Sequence, residues 1–259
     1  MRLAMGLLLG ATVASAAIRI QVTVVDTKTG KPITDLKAGD FKVADGNDRL
    51  RVESAEYRTT PVDIMLLLDA SQVGAVVQPA AGEFIGQLAE KEQMAVVAFH
   101  SSTDLVQDFT NSKQLLNRAV AGLKFGNSPR VMDALYAALD GGFAHASLRR
   151  VVLLLTTGID GPNRTSEKEV LKLARNKNVS IYPVLVARNE RSTFEMLARG
   201  TGGATFRMSN RRKPFGADVF EIIRGQYTIF VTGNSALSEH LRVEVRRAGK
   251  LFVSALIQD

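Results

Sequence analysis

The sequence has no cysteine and no tryptophan, and its 259 residues include only three histidines. Without cysteine, the chain has no disulfide scaffold, thiolate zinc site, iron–sulfur cluster, cysteine nucleophile or thiol-linked lipid. His100, His145 and His240 leave little material for imidazole-based metal or acid–base chemistry. Hydrophobic residues make up 46% and charged residues 23% of the chain, close to globular averages. Global disorder and collagen-like repeats are therefore excluded.

Long apolar runs are also missing beyond the amino terminus. No other stretch reaches about 18 apolar residues, so we expect no transmembrane helix and no stable membrane insertion. Residues 1–17 place Arg2 before a short apolar run and end in the small-residue motif Ala14-Ser15-Ala16. This layout predicts a signal peptide cleaved near Ala16/Ala17, and hence a secreted or periplasmic bacterial protein. Cleavage would lower the net charge from +7 to +6 by removing Arg2.

Both ends of the remaining chain follow the period of β-strands. In residues 18–60, apolar and polar residues alternate over 18–24, and Asp45-Gly46-Asn47 is typical of a hairpin turn. Residues 227–259 alternate in the same way over 227–231, 241–245 and 251–256. Neither segment has enough strands to close a core alone. We therefore expect the carboxyl-terminal segment to pack with the amino-terminal one.

Residues 61–226 have a different pattern. Near-continuous apolar runs at 62–68, 94–99, 151–155 and 179–186 are typical of strands buried on both faces. Helical patterns with apolar residues three and four apart lie between these runs, and one of them begins at Thr165-Ser166-Glu167. The alternation predicts an α/β fold. In this predicted fold, a doubly wound, mostly parallel, Rossmann-like sheet is accompanied by a small flanking β unit drawn from both termini.

At the end of the first buried strand, the sequence resembles a known family. Asp69-Ala70-Ser71 after an apolar strand resembles the first loop of a von Willebrand factor type A domain. The segments 149–160 and 202–206 resemble that family's fourth strand and the start of its last strand. The flanks, 21–46 and 225–245, resemble those of bacterial secreted proteins described as von Willebrand factor A-related. The likeness therefore extends over nearly the whole chain after residue 17.

The resemblance implies a metal-ion-dependent adhesion site, in which hydroxyls and carboxylates of three loops hold a divalent ion such as Mg²⁺. This sequence departs from that pattern. Asp69 and Ser71 are present, but Val73, Pro129 and Thr157 replace a serine, a threonine and an aspartate, so two of five expected ligands remain. Candidate ligands of a degenerate site are Asp69, Ser71, Ser128 and Thr157. Candidate partner-binding loop residues are Gln72, Asn127 and Asp160.

One carboxylate does little to offset the dehydration of Mg²⁺, so we expect no cofactor and a metal-independent site. The favoured function is a non-catalytic protein–protein interaction or scaffold module of the bacterial cell envelope, with an unidentified protein partner. The alternatives are metal-dependent, adhesin-like binding through the residual ligands, or an unrecognised hydrolase. The chain has no G-x-S-x-G, H-E-x-x-H or phosphate-loop motif, so we expect no catalytic residues.

The positive charge is scattered over the sequence, at 149–150, 211–213, 242 and 246–247. Nucleic-acid binding would call for clustered basic residues interleaved with aromatics, so no nucleic-acid partner is expected. Contact with anionic components of the envelope fits the net charge but carries no specificity.

Overall fold

The computed structural model describes residues 17–186, 192–208, 215–232 and 241–258. The expected signal peptide therefore lies outside the described residues, except for Ala17, as do His240 and the basic run 211–213. The twelve strands of the described part are β1 (Ala17–Asp26), β2 (Phe41–Asp45), β3 (Asp48–Thr59), β4 (Val62–Asp69), β5 (Gln93–Phe99), β6 (Thr103–Thr110), β7 (Arg149–Thr156), β8 (Val179–Leu185), β9 (Phe206–Arg207), β10 (Gly225–Thr232), β11 (Leu241–Val245) and β12 (Leu251–Gln258). Its six α-helices are α1 (Gln78–Gly86), α2 (Lys113–Ala121), α3 (Val131–Gly141), α4 (Glu167–Asn176), α5 (Ser192–Gly200) and α6 (Gly216–Arg224).

The central sheet has the order β6-β5-β4-β7-β8-β9. All its neighbours run parallel except β5 and β6, which are antiparallel. Strand β4 lies in the middle and is buried along its whole length, because helices cover both faces of the sheet. Helices α1, α2 and α6 pack against Ile64, Leu66 and Leu68 on one face. Helices α3, α4 and α5 pack on the opposite face, where Met65 and Leu67 point. The expected doubly wound, mostly parallel α/β fold is confirmed.

A second, antiparallel sheet combines strands from both ends of the chain, in the order β11-β2-β3-β10-β1-β12. Strand β1 lies between β10 and β12, so chain segments about 200 residues apart are hydrogen-bonded along its length. Ile20, Val22 and Tyr227 belong to the apolar core that covers one face of this sheet. The expected flanking β unit from both termini is therefore present. We call it the flanking sheet.

The other face of the flanking sheet packs on the α/β domain through a small polar network. Thr23 Oγ1 of β1 donates to the carbonyl of Gly202 at 2.8 Å. Gln226 Nε2 of β10 donates to that carbonyl, to Thr23 Oγ1 and to Tyr182 Oη, at 3.0–3.1 Å. Gly203 lies where no side chain fits, since a Cβ there would be 1.9 Å from the carbonyl oxygen of Ile181. The turn after α5 is thus the point where the two sheets meet.

Several local expectations from the sequence are also confirmed. Residues 45–48 form the β2–β3 hairpin, and the side chain of Ser166 caps α4 in a reciprocal box with Glu169. The glycine-rich segment 200–203 was interpreted as a helix stop and turn, and α5 ends there at Gly200. Sequence patterns gave no indication of β6. In the described part of the chain, no helix combines the length and apolarity needed to cross a bilayer.

Candidate functional site

The carboxyl ends of the parallel strands meet at one edge of the central sheet, and Asp69 ends β4 there. The residue as a whole is 1% exposed. Oδ1 accepts from the backbone N–H of Ser71 at 3.1 Å and from Ser71 Oγ at 2.6 Å. This local turn lets a short-range hydrogen bond hold a buried carboxylate, which would be costly to bury without partners.

The second oxygen of Asp69 faces the end of β7. Thr156 Oγ1 lies 3.4 Å from Oδ2, and Thr157 Oγ1 and Thr157 N lie 3.3 and 3.5 Å from it. These distances are long, so each bond is weak, and together they surround the oxygen with neutral donors. We call Asp69, Ser71, Thr156 and Thr157 the Asp69 site. The sequence pointed to three of these residues but not to Thr156, although it immediately precedes Thr157 at the strand end.

A third loop reaches the site through backbone pairing. The N–H of Gly126 donates to the carbonyl of Ala70 at 2.9 Å, and the N–H of Gln72 donates to the carbonyl of Gly126 at 3.0 Å. A Cβ at position 126 would lie 2.4 Å from the ring of His100, so any residue other than glycine would force the ring or the loop to shift. The pairing places Asn127 and Ser128 beside the first loop, and both are exposed.

The carboxylate of Asp160, a candidate partner-binding loop residue, is held by hydrogen bonds within the protein. Its Oδ1 accepts from the N–H of Val131 at 2.9 Å and its Oδ2 from Asn163 Nδ2 at 2.9 Å. Asn163 Oδ1 accepts from the N–H groups of Met132 and Asp133, at 3.0 and 3.3 Å. The loop after β7 therefore supplies the acceptors that the first turn of α3 needs. Nothing in the sequence pattern singled out Asn163.

The donors at this edge fit Mg²⁺ poorly. Asp69 is the one carboxylate of the Asp69 site, and Asp160 is bound to the start of α3. Asp133, on α3, accepts from the N–H groups of Arg164 and Thr165, at 2.8–3.3 Å. Among the described residues, no three histidine or acidic side chains are grouped so as to hold a metal. The remaining donors are hydroxyls, which add no charge to offset the dehydration of a hard cation.

The three loops that meet at the Asp69 site carry exposed side chains, and three of these are apolar. Val76 is 59% exposed in the turn after β4, Phe125 is 43% exposed beside Gly126, and Ile159 is 38% exposed two residues after Thr157. With these we group the exposed polar side chains of the same loops. The rim, as we name this set, consists of Gln72, Val76, Phe125, Asn127, Ser128 and Ile159. Of these side chains, the aromatic ring of Phe125 is of a type that is enriched at protein-binding surfaces.

The histidines do not form a hydrolase arrangement in the described part of the chain. His100 Nδ1 lies 3.0 Å from Ser101 Oγ, but the neighbouring acid, Asp104, accepts from Ser102 Oγ. His145 Nδ1 lies 3.1 Å from Asp108 Oδ2 on the exposed surface. Neither imidazole has both a serine and an acid within hydrogen-bond distance, which is the geometry that nucleophilic catalysis requires.

The fold and this edge define a class of protein that a family model also recognises. The von Willebrand factor type A domain model matches residues 63–217, more than half of the chain. The chain belongs to this family, whose domains generally serve as non-enzymatic interaction modules.

Similar proteins are distant. A protein of Borreliella burgdorferi described as uncharacterized is 25% identical over 150 residues, which are 53% of this chain and 44% of that protein. Proximal thread matrix protein 1 from the mussel byssus, with a zinc-occupied MIDAS motif, has a TM-score of 0.57 at 16% identity, covering 70% of this chain and 50% of that one. An aerotolerance-related membrane protein from Bacteroides fragilis has a TM-score of 0.50 at 12% identity, covering 62% and 98%. This chain thus spans half or less of the first two relatives, and the structural likenesses concern the fold alone.

Proposed function

We propose that this protein is a non-catalytic interaction module of the bacterial cell envelope that binds a protein partner through the rim, without a metal ion. The observation that carries the proposal is the state of Asp69. Its carboxylate is buried, with Ser71 firmly bonded to one oxygen and only long, neutral contacts from the two threonines to the other, while the side chains of the rim are exposed and partly apolar. Binding energy would then come from burying rim side chains rather than from a shared metal. The envelope location rests on the pattern of residues 1–17.

Site-specific cross-linking in the native bacterium tests this proposal. A photoreactive amino acid at position 125 should give one discrete adduct with another protein, and EDTA should not reduce its yield. The matched control is position 115, because Leu115 is a comparably exposed apolar residue on α2, away from the rim. Equal adducts at both positions, or none at position 125, would overturn the proposal.

The metal-dependent alternative is favoured by one finding, the zinc-occupied site of the mussel protein with the same fold. It predicts that EDTA and Asp69→Ala each abolish the adduct at position 125, and that Mn²⁺ restores it only with Asp69 present. Metal-independent binding instead predicts an EDTA-resistant adduct.

A further inference from the structure

A second candidate site lies at the opposite edge of the central sheet, where the parallel strands begin. A cleft of about 560 Å³ opens between that edge and the flanking sheet. This volume lies within the range of small-molecule sites. From the α/β domain it is lined by Arg149 and Arg150 at the start of β7 and by Asn178 before β8. From the flanking sheet, Arg19, Gln21 and Gln258 line it.

The register of the flanking sheet explains why its three side chains meet there. Arg19 and Gln21 are two residues apart on β1, so they share a face with Thr23, which contacts the α/β domain. Gln258 lies directly opposite Arg19 on β12. The face that joins the two sheets at Thr23 therefore continues into the cleft at its other end.

The cleft contains buried polar atoms without partners. Arg149 Nη2 donates to the carbonyl of Ile223, but Arg149 Nε and Nη1 are buried and have no acceptor in the described part of the chain. The Oε1 atoms of Gln21 and Gln258 are likewise buried without a donor. Because buried polar groups are nearly always paired, these four atoms call for a ligand or for ordered water.

The charge of the cleft selects the kind of ligand. Three arginines line it and no acidic residue does. Asp63, on the neighbouring strand β4, pairs in register with Arg150 on β7. Arg149 projects to the opposite face of the sheet from these two residues. Asp63 Oδ2 is held by the N–H groups of Ser147 and Leu148, at 2.7 and 2.8 Å. Guanidinium groups bind carboxylate and phosphate oxygens in paired hydrogen bonds.

We propose that this cleft binds a small ligand in which a phosphate or carboxylate group stands beside hydroxyl groups. The arginines would take the oxyanion, and the two glutamine carbonyls would accept from the hydroxyls. The site is at the opposite edge from the rim, so it stands or falls independently of the proposed function.

Calorimetric titration of the protein tests this proposal with four probes: glycerol 3-phosphate, glucuronate, inorganic phosphate and glycerol. At least one of the first two should saturate at about 1 mM or below, about tenfold tighter than inorganic phosphate. Glycerol alone should not bind. Which of the first two binds better tells whether phosphate or carboxylate is preferred.

Two variants locate the binding. Arg19→Gln should weaken the hydroxylated anion about tenfold, as expected for one charged hydrogen-bonding partner. Gln258→Ala should weaken it while leaving inorganic phosphate unchanged. Arg51→Gln, on the exposed surface of β3 in the same sheet, is the control and should have no effect. Thermal unfolding by circular dichroism checks that each variant is folded.

Two results would overturn the proposal. One is failure of all three anions to saturate at about 10 mM, which would leave ordered water as the partner of these groups. The other is an equal loss in Arg51→Gln and Arg19→Gln, which would mean that net charge alone attracts the anions.

Discussion

The resemblance to the family implies a metal ligand at Asp69, yet the hydrogen-bond partners of its carboxylate in this chain are neutral. Thr157 Oγ1 lies 3.3 Å from Asp69 Oδ2, so Thr157→Asp would place a second carboxylate beside the first. Two adjacent buried carboxylates repel, and we expect this variant to lose about 2 kcal/mol of unfolding free energy without metal. Combining it with Val73→Ser restores the first-loop pattern and should create a Mg²⁺ site.

Thermal unfolding with and without Mg²⁺ measures the stability that ion binding adds to the double variant. At an ion concentration ten times the Kd, the double variant should gain about 1.4 kcal/mol of stability. The natural sequence, and a control carrying Thr157→Asn with Val73→Ser, should gain nothing. An equal gain in the natural sequence would show that one carboxylate with hydroxyls suffices to hold the ion.

For single residues, the sequence could predict which side chains share a site when they are close in the chain, but not when they come from distant segments. Asp69 and Ser71, two residues apart, were both candidate ligands, and the structure places them in one site, where they are hydrogen-bonded to each other. Asp160 was a candidate partner-binding loop residue, but its carboxylate caps a helix that begins 29 residues earlier. Only the packing of that helix against the sheet reveals that this acid is engaged.

Helix α3 depends on another loop for its start. Its N-cap residue, Arg130, makes no side-chain cap, and Asn163 Oδ1 accepts from the N–H groups of Met132 and Asp133. Asn163→Ala leaves both donors unpaired, so we expect a loss of about 1–2 kcal/mol in urea unfolding. Asn117→Ala is the matched control, since Asn117 is exposed on α2. If both variants unfold alike, the loop does not stabilise α3.

Strands could be predicted from the sequence where their pattern of apolar residues reflects burial. The buried strands β4, β5, β7 and β8 read as apolar runs, because both their faces are covered. Strand β6 was missed because it lies at the edge of the sheet, and most of its side chains are at least partly exposed, without the alternation that marks a half-buried strand. Its antiparallel pairing with β5 depends on tertiary structure that local patterns do not encode.

The contact between the two sheets is built around Gly203. A methyl group there would meet the carbonyl of Ile181 at 1.9 Å, so Gly203→Ala must displace either the turn or β8. We expect a loss of about 3 kcal/mol, seen as a shift of one cooperative transition in thermal unfolding. Gly39→Ala, where a Cβ meets nothing within 4 Å, should change stability little. Two separate transitions would mean that the sheets unfold independently.

The sequence anticipated that strands from both termini would meet, because neither set could close a core alone. It contained no indication of the strand order, since β1 pairs with β10 and β12 through contacts between the two ends of the chain. It also gave no sign of the cleft, whose lining residues come from five separate stretches of sequence.

A buried ion pair also lies within the α/β domain, at the end of helix α6, after which the chain enters the flanking sheet. Glu92, before β5, has a fully buried side chain, and its carboxylate accepts from Arg224 Nε and Nη2 at 2.8 and 2.6 Å. Burial alone would raise the pKa of Glu92. The hydrogen bond from Arg224 and those from the N–H groups of Ala89 and Val62 outweigh that effect, so the pKa lies below its usual value of 4.5.

A carboxyl group whose pKa is lowered by folding stabilises the protein above its unfolded pKa, and this contribution is lost as the pH falls through the folded value. We therefore expect the unfolding free energy to fall below about pH 4.5. Glu92→Gln should cost about 3 kcal/mol at pH 7, because Arg224 is left three-quarters buried without its counterion, and should flatten the acid limb. Glu195→Gln removes an exposed pair with Arg199 and should cost under about 1 kcal/mol. Urea unfolding from pH 3.5 to 7 distinguishes these outcomes, and an acid limb unchanged in Glu92→Gln would assign the pH dependence to other carboxylates.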